Sequence, residues 1–245
     1  MIGCLIVARL SSKRLPNKNI LSFNGLPMIL NLYYRIKKSK KIDKIIICTS
    51  NEPSDDPLES IANKNNILIY RGSLDNIMER IVNCAHKFNL TDIVEVLGDN
   101  PLVDNTLVDF VTKHYLSNNL DYCTNISLDY QKQLNEKKYK CFPIGLRVQI
   151  YKSSIASNYI KYKNDSFVSS HPTNFIFENN HIYQNHFLEA NDVWEFLNLK
   201  NLSFAVNEQY QFNNVRDIFD NFKSFDFSLE EMIKFVNNKK INFKI

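Results

Sequence analysis

Glycine is scarce in this chain, with five residues in 245. That excludes a collagen repeat, and neither GxGxxG nor GxxxxGK[ST] occurs, so the two common glycine-rich phosphate loops are absent. The five cysteines (Cys4, Cys48, Cys84, Cys123, Cys141) are odd in number and far apart, with no CxxC pair. Zinc sites and disulfide frameworks are not expected, whereas buried thiols in a reducing cytoplasm are. No apolar run reaches the ~18 residues of a membrane-spanning helix. Met1 leads straight into an apolar segment with no basic stretch before it, so no secretory leader is expected. Charge of one sign is lacking too: 30 Lys and Arg stand against 26 Asp and Glu, a net +4. Nucleic-acid-binding domains carry a more concentrated basic face, so nucleic acid is not expected as a partner.

What is present is the balance of a globular protein, 44% hydrophobic and 23% charged. A chain this long buries roughly 70–75% of its unfolded surface and needs no staples. In the first half, short apolar runs alternate with amphipathic stretches. Ile2–Ala8, Ile45–Thr49, Ile67–Tyr70 and Asp92–Leu97 read as strands. Helices are expected after Pro27 at its first position, over Asp55–Asn63, after a Ser73 cap, and over Asn105–Leu116. Strands separated by helices mean βαβ units and a mostly parallel, twisted sheet with flanking helices. The second half is less regular. Tyr122–Ser127, Leu146–Tyr151 and Leu202–Val206 read as strands, and Lys152–Tyr162, Gln209–Phe222 and Ser228–Asn238 as helices, the last with Ser228 and Glu231 as a capping box. Asp129–Lys140 reads as a lysine-rich excursion. One domain over 1–245 is expected, with a smaller α/β subdomain inserted over about 128–200.

Ligands of such sheets bind beyond the carboxyl ends of the strands. Two loops are marked by that rule. The first follows Ala8 and places Arg9, Lys13, Arg14 and Lys18 within ten residues, with the hydroxyls of Ser11 and Ser12. Arginine meets phosphate with a planar fork and lysine as a point charge, so the cluster suits a polyphosphate. The same cluster could equally be a solvated basic loop. The second loop is Leu97-Gly98-Asp99-Asn100-Pro101-Leu102, where Asp99 is a carboxylate at a strand exit. Beside phosphates a lone carboxylate suits magnesium; alone it would be a turn residue.

The motif Ala8-Arg9-x-x-Ser12-x-Arg14-Leu15-Pro16-x-Lys18 resembles the signature of the cytidylyltransferase family, which includes 3-deoxy-manno-octulosonate cytidylyltransferase and spore-coat polysaccharide synthesis proteins. Gly25-x-Pro27-Met28-Ile29 and Gly98-Asp99-x-Pro101-Leu102 resemble further segments of it, and Arg71-Gly72-Ser73-x-Asp75 with Arg80 resembles the spore-coat branch. The resemblance implies a nucleotide-diphospho-sugar-transferase-like fold and a nucleotidyltransfer from CTP in surface polysaccharide or glycoconjugate synthesis. It implies that Arg9 and Lys18 hold the triphosphate with Ala8, Ser12, Arg14 and Gly98 around it, that Asp99 holds magnesium, and that Arg71, Asp75 and Arg80 lie near the base or ribose. A homodimer formed through the second half is implied as well, in keeping with its aromatic-rich stretch from Phe142 onward.

Three departures stand against that pattern. Phe142–Gln149 aligns with a family segment Pro-Asp-Gly-x-Asp-x-Glu, whose acidic positions are Ile144, Arg147 and Gln149 here. Ala205-Val206-Asn207-Glu208 resembles a strand ending Val-Asp-Glu whose Asp is a second magnesium ligand, replaced here by Asn207. Glu208 would leave that strand on the opposite face. His171 resembles an acceptor-side histidine, with Ser170 in place of a Glu. Three readings stay open: one magnesium on Asp99 and the phosphates, an acidic acceptor met by Arg147 with Gln149 and His171 nearby, or a relative that binds without catalysing. A sugar-nucleotide-dependent glycosyltransferase is the alternative from another class, though it would want an Asp-x-Asp motif, which is absent.

Overall fold

The computed structural model describes residues 1–127, 139–162, 175–176, 181–199, 202–239, 241 and 243. The apolar run Ile2–Val7 is strand β1, with Cys4, Leu5 and Ile6 fully buried. Short strands β2 (Ser22–Phe23) and β3 (Leu26–Pro27) form a separate hairpin ahead of helix α1 (Met28–Ile36). Pro27 therefore caps α1 rather than opening it; its fixed φ serves the extended residue before the helix. Strand β4 (Lys44–Ser50), helix α2 (Asp56–Lys64), strand β5 (Leu68–Gly72), helix α3 (Ile77–Lys87), strand β6 (Asp92–Leu97) and helix α4 (Asn105–Ser117) follow in alternation. The cap of α3 is Asn76, whose side chain accepts from Glu79 N, and not Ser73; the Ser73 hydroxyl instead accepts from Asn76 N in the preceding turn.

Strands β7 (Tyr122–Asn125), β8 (Gln149–Lys152) and β9 (Asn185–Leu188) complete a sheet in the order β5-β4-β1-β6-β8-β7-β9. Neighbours run parallel except at β6–β8 and β8–β7. Strand β9 was not expected from the sequence, and Leu202–Val206, expected as a strand, does not join the sheet. In that segment Ser203 makes an isolated bridge to Ile144, and Val206 N donates to Asp99 O at 2.8 Å. Leu146–Val148 also precedes the strand it was assigned to, and Lys152–Tyr162 is one short α-turn (Ser153–Ala156) followed by a 3-10 stretch. Helices α5 (Gln209–Phe222) and α6 (Leu229–Lys239) end the chain; Ser228 and Glu231 form the expected capping box.

The sheet has a core on each face. Alternate residues of β1 divide between them: Cys4 and Ile6 pack with α1, α2, α4, α5 and α6, whereas Leu5 and Val7 pack with α3 and Ser153–Ala156. With both faces covered, the first strand exits at the edge of neither core, and its loop must run over the carboxyl end of the sheet. No helix among the described residues is long and apolar enough to cross a membrane.

Candidate active site

A cavity of about 930 Å³ opens beyond the carboxyl ends of β1 and β6. The first loop forms one wall: Ala8, Arg9, Ser11, Ser12, Lys13 and Arg14 all line it, and so do Lys18 and Asn19. A buried carboxylate sets this loop in place. Asp55 accepts from Leu10 N at 2.7 Å with one oxygen, and from Thr49 Oγ1, Ser50 N and Ser50 Oγ with the other. Asn19 closes the loop from the far side by donating to Arg9 O at 2.9 Å. The strands come close here: a Cβ on Gly98 would stand 2.8 Å from both Ala8 Cβ and Asn19 Oδ1, so a side chain at 98 would separate the two marked loops.

Lys18 is the centre of the site. It is 7% exposed, and its Nζ donates to Asp99 Oδ2 at 2.9 Å, Val206 O at 2.8 Å and Asn207 Oδ1 at 3.0 Å. Three ammonium hydrogens thus meet three oxygens. The segment that brings Asn207 here is held at both ends. Gly145, at φ +90°, packs so tightly that a Cβ would lie 2.3 Å from Ala205 N. At the other end Gln211 Oε1 accepts from Asn207 N at 2.7 Å and from Glu208 N at 3.0 Å. Glu208 is the N-cap of α5, so its expected place on a strand is replaced by a capping box.

The remaining expected residues divide. Asp75, Arg80 and Arg147 line the cavity, as do Asp99 and Asn207. Arg71 does not. It follows the register pair Thr49–Arg71 at the edge of the sheet and reaches back over α2, donating to Ser50 O and Glu52 O and pairing with Asp56 and Glu59. Those two acidic residues in the first turn of α2 claim it for the structure of that crossover. Gln149 is buried behind the floor, where its Oε1 accepts from Tyr122 Oη at 3.1 Å, and it does not line the cavity. His171, most of the 129–140 excursion and much of the 128–200 subdomain lie outside the described residues. Two histidines with no recognisable spacing, His114 and His186, meet at 2.6 Å, away from the cavity.

Sequence reasoning missed Glu95, which lines the cavity from β6. The available signal was a lone acid inside the apolar run Ile93-Val94-Glu95-Val96-Leu97. Burial pushes its carboxyl above the ordinary range, while the Tyr151 hydroxyl, Arg147, Gln149 and Arg80 pull it back in part.

An α/β sheet with a cation-lined crevice beyond its strand ends is an architecture for handling phosphorylated ligands. Residues 3–241 match the family model for cytidylyltransferases. The chain belongs to the cytidylyltransferase family and is a nucleotidyltransferase. It is 30% identical over 122 residues to the spore coat polysaccharide biosynthesis protein SpsF of Bacillus subtilis, covering 48% of this chain and 51% of that one. It is 37% identical over 105 residues to 3-deoxy-manno-octulosonate cytidylyltransferase of Francisella tularensis subsp. novicida, covering 42% of this chain and 41% of the relative. Among solved structures, a cytidylyltransferase from Leptospira borgpetersenii superposes with a TM-score of 0.86 at 23% identity, over 100% of this chain and 98% of that one. A CMP:2-keto-3-deoxy-manno-octonic acid synthetase complexed with CTP gives 0.63 at 15% identity, over 90% of this chain and 99% of that one. These likenesses bear out the expected sheet and its flanking helices.

Proposed function

We propose that the protein joins CMP from CTP to a small acidic acceptor, a sugar acid of surface polysaccharide or glycoconjugate synthesis, and releases pyrophosphate. The observation that carries this reading is the convergence of Arg9, Lys13, Arg14 and Lys18 with Asp99 on one cavity. Four cations on one wall match the charge of a triphosphate. A structural neighbour described as complexed with CTP supports the choice of nucleotide. Arg147, a lining residue from outside the first loop, supports an anionic group on the acceptor.

In the reaction the acceptor oxygen bonds to the α-phosphorus, and the bond from that phosphorus to the bridging oxygen of pyrophosphate breaks. There is little covalent work for side chains; the chain positions the two reactants and offsets the charge of the leaving group. Arg9 and Arg14, both exposed, hold the phosphates with their guanidinium groups, and Lys18 turns its ammonium from Asp99 toward the phosphate oxygens. Oxygens of Asp99, Asn207 and Val206 all lie within 3.0 Å of one cationic centre, the Lys18 Nζ, a donor set that suits a hard cation. Asp99 and Asn207 would hold magnesium there, which when bound supplies charge neutralisation and polarisation of the phosphoryl oxygens.

Magnesium-dependent release of pyrophosphate from CTP, with 3-deoxy-manno-octulosonate and other sugar acids as acceptors, tests the reading. Release that needs CTP and an acidic acceptor supports it; no release with any sugar acid refutes the acceptor class. Asn207 gives a second test. A carboxylate there adds Coulomb attraction of a few kcal/mol at ~4 Å and an effective dielectric near 20, offset in part by its own desolvation. Asn207→Asp is expected to lower the half-saturating magnesium concentration by about 3- to 10-fold. Should the substitution instead leave magnesium alone and raise the acceptor KM, Asn207 faces the acceptor. A homodimer through the second half belongs to the same reading, supported by the exposed Ile160 and Ile182. Light scattering at micromolar concentration checks it, and a monomer mass would count against it.

A further inference from the structure

Glu95 is an acid that the transfer described above does not use. It is 2% exposed yet lines the cavity, and its Oε2 accepts from Tyr151 Oη at 2.7 Å. The antiparallel register of β6 and β8 sets it directly opposite Gln149, and Tyr122 donates to that glutamine from β7. From α3 comes Arg80, 1% exposed, whose Nη1 donates to Ser73 O at 2.8 Å while its buried Nε has no hydrogen-bond partner. From the segment before β8 comes Arg147, two residues ahead of Gln149 and lining the same cavity. Cys4 on β1 and Cys48 on β4 complete the groups that sense the Glu95 charge.

A carboxylate in such a place is expensive to desolvate. A glutamine of the same shape would accept the Tyr151 hydrogen bond equally well, so shape and hydrogen bonding do not explain a charged residue. The two arginines on the cavity wall do. We propose that Glu95 is a positioning residue of the acceptor end, its carboxylate clamped by Tyr151 and holding Arg147 against the cavity wall so that the guanidinium is presented to the acceptor. This rests on the reading of the cavity as a nucleotidyl-transfer site. Burial lifts the Glu95 carboxyl above its ordinary range, which fits a charge kept against stability for the sake of the site.

The sign of the stability effect follows. An acid with its folded pKa raised contributes stability below its unfolded pKa and loses it as the pH rises through the folded value. Glu95→Gln should therefore unfold at the same or a higher temperature than the wild type at mildly alkaline pH, and this gain should vanish as the pH falls through the ordinary carboxylate range. The decisive readout is the rate at which Arg147 of the full chain reacts with phenylglyoxal, followed by peptide mass spectrometry. Glu95→Gln is expected to raise that rate roughly fivefold, the scale of a coupled charge pair. Tyr151→Phe keeps the charge but loosens the carboxylate and should raise the rate less than Glu95→Gln does, and CTP affinity should change little in either variant. An unchanged Arg147 rate in folded Glu95→Gln, or an equal rise in Tyr151→Phe, overturns the proposal. If Glu95→Gln does not fold, Glu95→Asp takes its place: its withdrawn carboxylate should raise the rate partway, and no rise overturns the proposal. Wild-type protein that fails to bind CTP overturns the reading of the cavity, and the Arg147 rates still decide whether Glu95 holds that arginine.

Discussion

Lys18→Met is expected to lower turnover by about 10²- to 10³-fold, the scale of removing one preorganised charge-stabilising group from a transfer site. The structure explains why a single lysine matters among four cations of the same loop. Arg9 and Arg14 are exposed, whereas Lys18 is 7% exposed and satisfied by three oxygens. Its buried stem is thus placed before any nucleotide arrives, so that only the ammonium's hydrogen bond to Asp99 is exchanged for phosphate and little side-chain freedom remains to be lost on binding. Methionine keeps the length and apolar stem and removes the charge. It also removes the cation that neutralises Asp99, so magnesium affinity in the absence of nucleotide should not fall and is expected to rise. Steady-state rates of pyrophosphate release and calorimetry with magnesium alone check the two halves. A variant within a few-fold of wild-type turnover would mean that Lys18 serves only as the structural counter-ion of Asp99.

Asp99→Asn is expected to abolish the magnesium dependence and to remove most of the activity, by at least about 10²-fold, because a hard cation loses its charged ligand. The fold should survive. The Asp99 carbonyl that accepts from Val206 N is backbone and is unaffected, and the side chain is 24% exposed and outside either core. Lys18 would retain Val206 O and Asn207 Oδ1 as acceptors. The same unfolding temperature with lost magnesium dependence is the expected pair of results. An active, magnesium-dependent Asp99→Asn variant would assign the metal elsewhere.

The parts of the fold legible in the sequence were those whose local signals and tertiary surroundings agree. β6 was read with its observed boundaries because a run buried on both faces leaves no ambiguous end, and α5 because Gln209–Phe222 carries helical spacing up to the αL residue Lys223. Leu202–Val206 misled for the same reason that β6 did not: it is an apolar run, but it is buried by Gly145 and Asp99 rather than by a strand on each side. β9 went unread because it pairs on one side with β7, and its residues Asn185 and Phe187 are only partly buried while His186 is exposed. The first loop and the Asp99 turn were legible since strand exits are where such sheets bind. Arg71 was misplaced because its partners Asp56 and Glu59 are distant in sequence and meet it only through the β4–β5 register. Glu95 escaped because its meaning lies in neighbours from several other elements, which no local pattern announces.

In the proposed reaction a triphosphate is seated against the first loop. Calorimetric titration of CTP with magnesium into the wild type, and into Arg9→Ala and Lys18→Met in parallel, tests it most directly. Saturable binding is expected in the wild type, weakened in each variant by ~1–3 kcal/mol, the scale of a hydrogen bond to a charged group. Equal affinity in all three proteins, or no binding of CTP to the wild type, would contradict it.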